Sequence, residues 1–445
     1  MGKTETELNK KKNSINLSQL WKKEDWWTVW LGAILIIASI VGIISKPTLP
    51  KKWGMSGAES ILASMPSDII TGILATGLVT LVVFAIAVFF VNRKDFSKFL
   101  LAFPLLFILA ILAKVLGNYS PWNHYGFNDV IWALVIGLVI SNTIKTPGFI
   151  KGAVRTELYI KTGLVLLGAS ILFNKMLALG TLGLGVAWLV TPIVIIFMFW
   201  YSQRVLKMQE NKGLAITIAS ATSVCGVSAA IAAGTAAKAK KEEISLAISI
   251  TLIFTVIMMV GMPALVKLLG MDPIVGGAWL GGTIDATGAV VAAGAMLGED
   301  AMQVASVIKM VQNILIGVVA FGIAVFWVTF YEKKSTDQAH IGLKEIWVRM
   351  PKFILGFIGA SIIFSFLISD AIVDSSLSAI NGYRGFFFTL AFVSIGLESN
   401  FKEMASMVKG GKPLNLYIVG QTFNLVLTFI AAYIFFSGNF FTLPF

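Results

Sequence analysis

Apolar runs separated by short polar or basic connections recur along almost the whole chain. Eleven have the length and apolarity of a helix crossing a bilayer, for which about 20 apolar residues are needed. They are 27–45, 69–91, 98–116, 129–144, 157–173, 179–200, 245–267, 304–330, 353–370, 385–400 and 413–437. The runs at 129–144 and 385–400 are short for a full span, so tilted or broken helices are expected there. Two further segments, 213–236 and 277–297, are rich in Gly, Ala, Ser and Thr and poor in bulky side chains. The pattern predicts an all-α polytopic membrane protein with about 11 spanning helices plus two broken or re-entrant Gly-rich segments.

Composition agrees. Of 445 residues, 57% are hydrophobic and 13% charged, against roughly 25% charged in soluble proteins. A soluble enzyme, a disordered chain, a coiled coil and a secreted disulfide scaffold are all excluded. Cys225 is the only cysteine, so no intramolecular disulfide can form. His124 and His340 lie in polar connections, which leaves no His pair for a catalytic metal. The net charge of +12 comes from basic runs between apolar segments. That is the positive-inside pattern of a membrane protein and not a nucleic-acid surface.

The basic runs also predict orientation. Lys3, Lys10, Lys11, Lys12, Lys22 and Lys23 place the N-terminus in the cytoplasm. Further cytoplasmic stretches are marked by Arg93, Lys94 and Lys98, by Lys145, Lys151 and Arg155, and by Arg204, Lys207 and Lys212. Lys333, Lys334, Lys344, Arg349 and Lys352, then Lys402, Lys409 and Lys412, mark the last two. An odd number of crossings puts the C-terminus outside, and the cell inner membrane is the expected location. The first run, Trp27 to Ser45, reads as an uncleaved helix. Residues 1–26 read as a cytoplasmic tail with an interfacial amphipathic helix that continues to Trp30, and 27–445 as a single transmembrane transporter domain. Both flanks of 213–236 are basic, since Lys238, Lys240 and Lys241 follow it. Charge therefore favours a segment that enters and leaves on one side, either re-entrant or broken.

Irregular backbone at membrane depth must face protein or a water-filled cavity. Broken helices point their partly charged ends at ligands, and N-terminal ends favour anions. In GLAITIASATSVCGVSAAIAAG, Ser220, Thr222, Ser223 and Ser228 supply hydroxyls, while Gly226 permits a break or a close approach. Cys225 has no visible base partner and reads as a small packing residue more than as a nucleophile. In GGTIDATGAVVAAG, Asp285 is the one acid in an apolar stretch, flanked by Thr283 and Thr287. A carboxylate there marks an ion or proton site, with a helix cap as the alternative. Lys309, Gln312 and Asn313 share a helical face. Lys309 has three readings: pairing with Asp285, binding an anion, or snorkelling to the outer surface. Gln421 and Asn424 either line the cavity or hydrogen-bond helices together. Glu398, Ser399 and Asn400 read as a solvated helix end.

Five of these motifs resemble the YeiH-like family of sulfate exporters: GLVLLGASI at 163–171, TSVCGVSAA at 222–230, GGTIDATGAVVAAG at 281–294, VIKM at 307–310 and SIGLES at 394–399. The resemblance covers most of residues 130–405 and leaves out the first two spans and the tail. It implies an inverted-repeat transporter fold related to cation/proton antiporters and bile-acid symporters, with broken helices meeting at mid-membrane and elevator-type motion. It also implies an anionic substrate. Many members have a His-Glu pair where this chain has Asp285-Ala286, and an Arg where it has Gln312. The chain therefore represents a divergent branch.

The expected function is secondary transport of a small anion of the sulfate, sulfonate or carboxylate type. Thr222, Ser223, Cys225, Gly226, Ser228, Thr283, Thr287, Lys309 and Gln312 form the candidate substrate set. Asp285 and Asn313 are the candidates for a coupling H+ or Na+. A cation/proton antiporter with Asp285 as the cation site is the alternative. No Walker A motif and no base or metal constellation is present, so neither ATP-driven pumping nor an enzyme is expected. No cofactor is expected, and a homodimer is left open.

Overall fold

The structure, a computed structural model, describes residues 19–54, 60–124, 128–331, 347, 350–403 and 411–444. His340, Lys3, Lys10, Lys11, Lys12, Lys333, Lys334, Lys344, Arg349, Lys409 and the first part of the expected interfacial helix lie outside the described residues. Its visible end, Gln19–Lys22, packs back on the next helix. Trp27 and Trp30 donate their indole N–H groups to Trp21 O and Leu20 O, and the Trp21 and Trp30 rings stack at 5.7 Å.

The principal helices are α1 (Glu24–Ile40), α2 (Ser67–Val91), α3 (Arg93–Gly117), α4 (Asp129–Thr143), α5 (Thr156–Gly168) and α6 (Phe173–Arg204). They continue as α7 (Lys212–Ser220), α8 (Gly226–Ala236), α9 (Lys241–Leu268), α10 (Pro273–Thr283), α11 (Thr287–Ala295) and α12 (Glu299–Phe330). The last are α13 (Phe353–Ile362), α14 (Asp370–Glu398) and α15 (Lys412–Phe436). Each of the eleven expected runs holds a helix, and the described residues are helical apart from loops and one isolated bridge between Trp53 and Tyr119.

Eight helical stretches among the described residues are long and apolar enough to cross a membrane. Four of the expected spans, held by α1, α4, α5 and α13, are shorter. At 1.5 Å per residue, the 13 residues of α5 reach only about 20 Å. The run expected at 385–400 belongs to a helix of 29 residues. Polar residues in its first half hid it from the hydropathy pattern, and they have partners. Asn381 Oδ1 accepts from Ser170 Oγ at 2.5 Å, and Arg384 pairs with Glu299 at 2.9 Å.

The helices sort into two bundles. The first joins α1–α5 with α13 and α14. Its core is aromatic: Phe84 meets Tyr159 and Phe387 edge-on at 4.7 Å. Gly396 of α14 faces Gly137 of α4 so closely that a Cβ there would sit 2.8 Å from the Gly137 Cα. The second bundle joins α6–α12 with α15. Between the bundles, α11 touches α5 and α14, and α6 touches α13.

The Gly-rich segments are the centre of the second bundle. Residues 209–236 would span the membrane as one straight helix, but they fold back. A Cβ on Gly213 would lie 3.1 Å from the Ala239 Cα, and one on Gly234 would lie 3.0 Å from Thr217 Oγ1. So α7 and α8 are antiparallel arms of a hairpin that enters and leaves on one side. Residues 273–295 form a second hairpin. Cβ atoms on Gly277 and Gly294 would lie 2.9 Å and 2.8 Å from the Cα atoms of Ala301 and Met302, so both of its ends sit at the start of α12. The small residues let each arm lie against a long helix at backbone contact.

Helix α9 runs from the base of the first hairpin to the base of the second, and α12 runs back, ending where the Lys212 ammonium lies 4.1 Å from the Tyr331 ring centre. The two hairpin-plus-helix units therefore point in opposite directions, and their tips meet at mid-depth. Membrane-impermeant maleimide labelling checks this in a Cys225→Ser background. Lys212→Cys and Lys241→Cys are expected to label from one face and Asp300→Cys from the other; labelling of 212 and 241 from opposite faces would make the first segment a crossing helix.

Candidate functional site

At the first tip, α7 runs into a π-helical turn, Ala221–Cys225, and the chain reverses at Gly226 with φ 36° and ψ −111°. L-residues rarely adopt that conformation, and a Cβ at Gly226 would also lie 2.9 Å from Asp285 O. The tips touch here. At the second tip, Ile284 and Ala286 are extended on either side of a bend at Asp285, and the three carry the chain from the end of α10 to the start of α11.

Each break leaves helix-end carbonyls without backbone partners. Side chains from α12 and α15 supply them, joined by Thr191 of α6, whose hydroxyl donates to Ser223 O at 3.0 Å. Lys309 Nζ donates to Val224 O at 2.7 Å and to Gln312 Oε1 at 2.6 Å. Gln312 Nε2 donates to Ser223 O at 3.0 Å and to Gly282 O at 3.1 Å, so one amide group clamps both tips. From α15, Gln421 Nε2 donates to Thr283 O at 3.2 Å and Asn424 Nδ2 to Thr222 O at 3.4 Å. A cationic side chain at the partly negative C-terminal end of a helix is favourably placed.

Asp285 is buried, and its Oδ2 accepts from the Tyr417 hydroxyl at 2.6 Å. Its Oδ1 has no protein partner; nor have Asn313 Oδ1, Gln421 Oε1 or Thr283 Oγ1. Asn313 Nδ2 donates to Thr287 Oγ1 at 3.1 Å, and Cys225 Sγ lies 3.8 Å from the same hydroxyl. The tips thus gather acceptor oxygens that the protein itself leaves open, an arrangement suited to a cation or a proton.

Several expectations need correction. Lys309 does not snorkel: α12 begins at Glu299, which places Lys309 about 15 Å along the helix, and its side chain is 1% exposed. It binds Val224 and Gln312, and the bonded partner of Asp285 is Tyr417. Thr222 and Ser223 donate their hydroxyls to Ile218 O and Ala219 O, four residues back, so these donors are not free for an anion. Ser228 is exposed on the side of α8 that carries Ile231 and Thr235, away from the second tip. Glu398 is more than a helix end, since it accepts from the Thr156 hydroxyl at 2.8 Å and faces a cavity.

That cavity, about 540 Å³, lies between the bundles. Arg155, Thr156 and Glu398 stand near its mouth, and Ala286, Gly288 and Ala289, at the start of α11, line it further in. Thr255 of α9 lines it too, with no partner for its hydroxyl. Tyr417 and Thr255 escaped the sequence reading. Tyr417 had a signal, because 417, 421, 424 and 428 form one polar stripe on α15. Thr255 had none. Removing a clamp leaves buried carbonyls bare at about 1–3 kcal/mol per group. Lys309→Met and Gln312→Leu are therefore expected to lower the melting temperature in detergent, whereas Lys51→Met, at an exposed site, leaves it unchanged; equal melting of all three would remove the clamp role.

The family model described as conserved hypothetical protein 698 matches residues 101–417. A UPF0324 membrane protein of Rhodopirellula baltica is 51% identical over 406 residues, covering 88% of this chain and 72% of its own. Another, from Nitratidesulfovibrio vulgaris, is 50% identical over 391 residues, covering 86% and 67%. One from Nitrosomonas europaea is 29% identical over 461 residues, covering 89% and 92%. No solved structure matches the chain. The chain belongs to the conserved hypothetical protein 698 family, among relatives named UPF0324 membrane proteins, and is a multi-pass membrane protein.

Proposed function

We propose that the protein is a secondary active transporter of a small anion, coupled to H+ or Na+ at Asp285. The observation that carries this reading is the meeting of two oppositely directed hairpins at their tips, beside a cavity that reaches the start of α11. Such a layout gives a binding position between two gates. With the basic flanks of the first hairpin taken as cytoplasmic, the cavity is an inward-facing approach. The opposed hairpin-plus-helix units support an inverted-repeat relation. The sparse contacts between the bundles support elevator-type alternating access, with the second bundle as the moving part and the first as the frame.

The partnerless oxygens of Asp285, Thr283, Asn313 and Gln421 favour a bound cation as the coupling species. They also favour a second reading, a cation/proton antiporter that carries no anion. Counterflow separates the two. Proteoliposomes preloaded with unlabelled anion are expected to accumulate the labelled anion saturably; sodium–proton exchange with no anion counterflow would establish the antiporter. Asp285→Asn is expected to fold and express normally and to lose gradient-driven uptake. Normal coupled uptake in that variant would remove Asp285 from the carrier role.

A further inference from the structure

We infer that the ligand of the inter-bundle cavity is a monovalent organic anion, a sulfonate or carboxylate with a short apolar body, held by the first turn of α11 and the Thr255 hydroxyl. The inference rests on the transporter reading and names the substrate class of that same site.

The acid-binding end comes from the backbone. In α11, Val290 N donates to Ala286 O, so the amides of Thr287, Gly288 and Ala289 precede the first helical bond and have no partner within the helix. Gly288 has no side chain and Ala289 only a methyl, so an acid group in the cavity can approach these N–H groups closely. The second donor is independent of the helix end. Thr255 is 5% exposed and its hydroxyl is unpartnered. One turn earlier, Thr251 spends its hydroxyl on Ala247 O at 2.9 Å, the usual bond of a buried helical threonine. Thr255 lacks that bond and faces the cavity.

Charge argues against a dianion. Lys309 is turned away, onto Val224 O and Gln312. Arg155 at the mouth is held by Asp95 at 2.8 Å through Nη2, which leaves its Nε without a protein partner. Glu24 and Glu398 line the cavity with no ion pair among the described residues. Inorganic sulfate would enter past these two unpaired carboxylates, and beyond Arg155 at the mouth it would meet only neutral donors at the start of α11, which suit one delocalised negative charge. Shape agrees: about 540 Å³ falls in the range of roughly 300–1,000 Å³ that holds small organic molecules. Leu252, Val256 and Ile395 supply an apolar wall that a hydrated inorganic ion would leave unused.

The test uses the full chain, with 1-propanesulfonate, butyrate and sulfate as probes at equal ionic strength. In detergent, thermal-shift binding is read without transport; in proteoliposomes, the same probes are used for counterflow. Propanesulfonate and butyrate are expected to raise the melting temperature and drive counterflow, and sulfate to do neither. Thr255→Val is expected to weaken propanesulfonate binding about tenfold or more, as for one lost hydrogen bond to a charged group, with Thr255→Ser restoring it. Sulfate binding as well as propanesulfonate, or Thr255→Val binding normally, overturns the inference. Organic-anion binding without counterflow would instead defeat the transporter reading and leave the subsite standing. Counterflow of sulfate alone would do the reverse.

Discussion

A peptide group in hydrocarbon must have a hydrogen-bond partner, and this fold breaks its backbone twice among buried residues. The rest of the second bundle follows from meeting that demand. Five side chains, Thr191, Lys309, Gln312, Gln421 and Asn424, reach from three long helices to the carbonyls left at the breaks. Carbonyl ends are thereby closed, whereas the amide end of α11 faces the cavity. The asymmetry lies in the backbone: helix-end carbonyls are capped by side chains and the first amides of α11 remain for a ligand, while the side-chain oxygens of Asp285, Thr283, Asn313 and Gln421 stay open beside them.

Because Gln312 bonds both tips, and α15 bonds them from the other side, the hairpins cannot shift independently of α12 and α15. Fixed dipoles at a helix end act strongly on a ligand when they need not reorient. Toward the other bundle the surface is of another kind. Gly288 of α11 lies near Ile160 and Ile395, so the contact beside the site is made of small and aliphatic groups with no directional bond. A surface of that kind resists sliding little. On the opposite face Arg384 and Glu299 tie the bundles together by charge.

Much of this was legible in the chain. The apolar runs located every long helix, and the basic flanks of 213–236 anticipated its return to the same side. Asp285 stood out as the one acid in an apolar stretch, where burial is costly, and Gln312 through the helical face it shares with Lys309; the structure places both at the meeting of the tips. What the sequence could not show was where each donor is spent. Thr222 and Ser223 look free until their hydroxyls are seen on Ile218 and Ala219, and Lys309 looks peripheral until α12 is seen to begin at Glu299. The polar first half of α14 misled for the same reason: Asn381 finds its partner on the connection between α5 and α6, and Arg384 on α12. Thr255 is one hydroxyl among many, and its distinction is a bond it does not make.

The passage from α5 to α6 sets a mechanical limit. Only Ala169–Leu172 join the last residue of one bundle to the first of the other, and four residues reach at most about 14 Å when fully extended. Part of that leash is already tied down. Ser170 is bonded to Asn381, and Ile171 O accepts from the Ser361 hydroxyl, both in the first bundle. Phe173 N in turn donates to Ser365 Oγ at 2.8 Å. Any large displacement of the second bundle is therefore smallest at this corner and greatest at the far edge, which would turn the proposed elevator movement into a tilt about the corner as well as a slide.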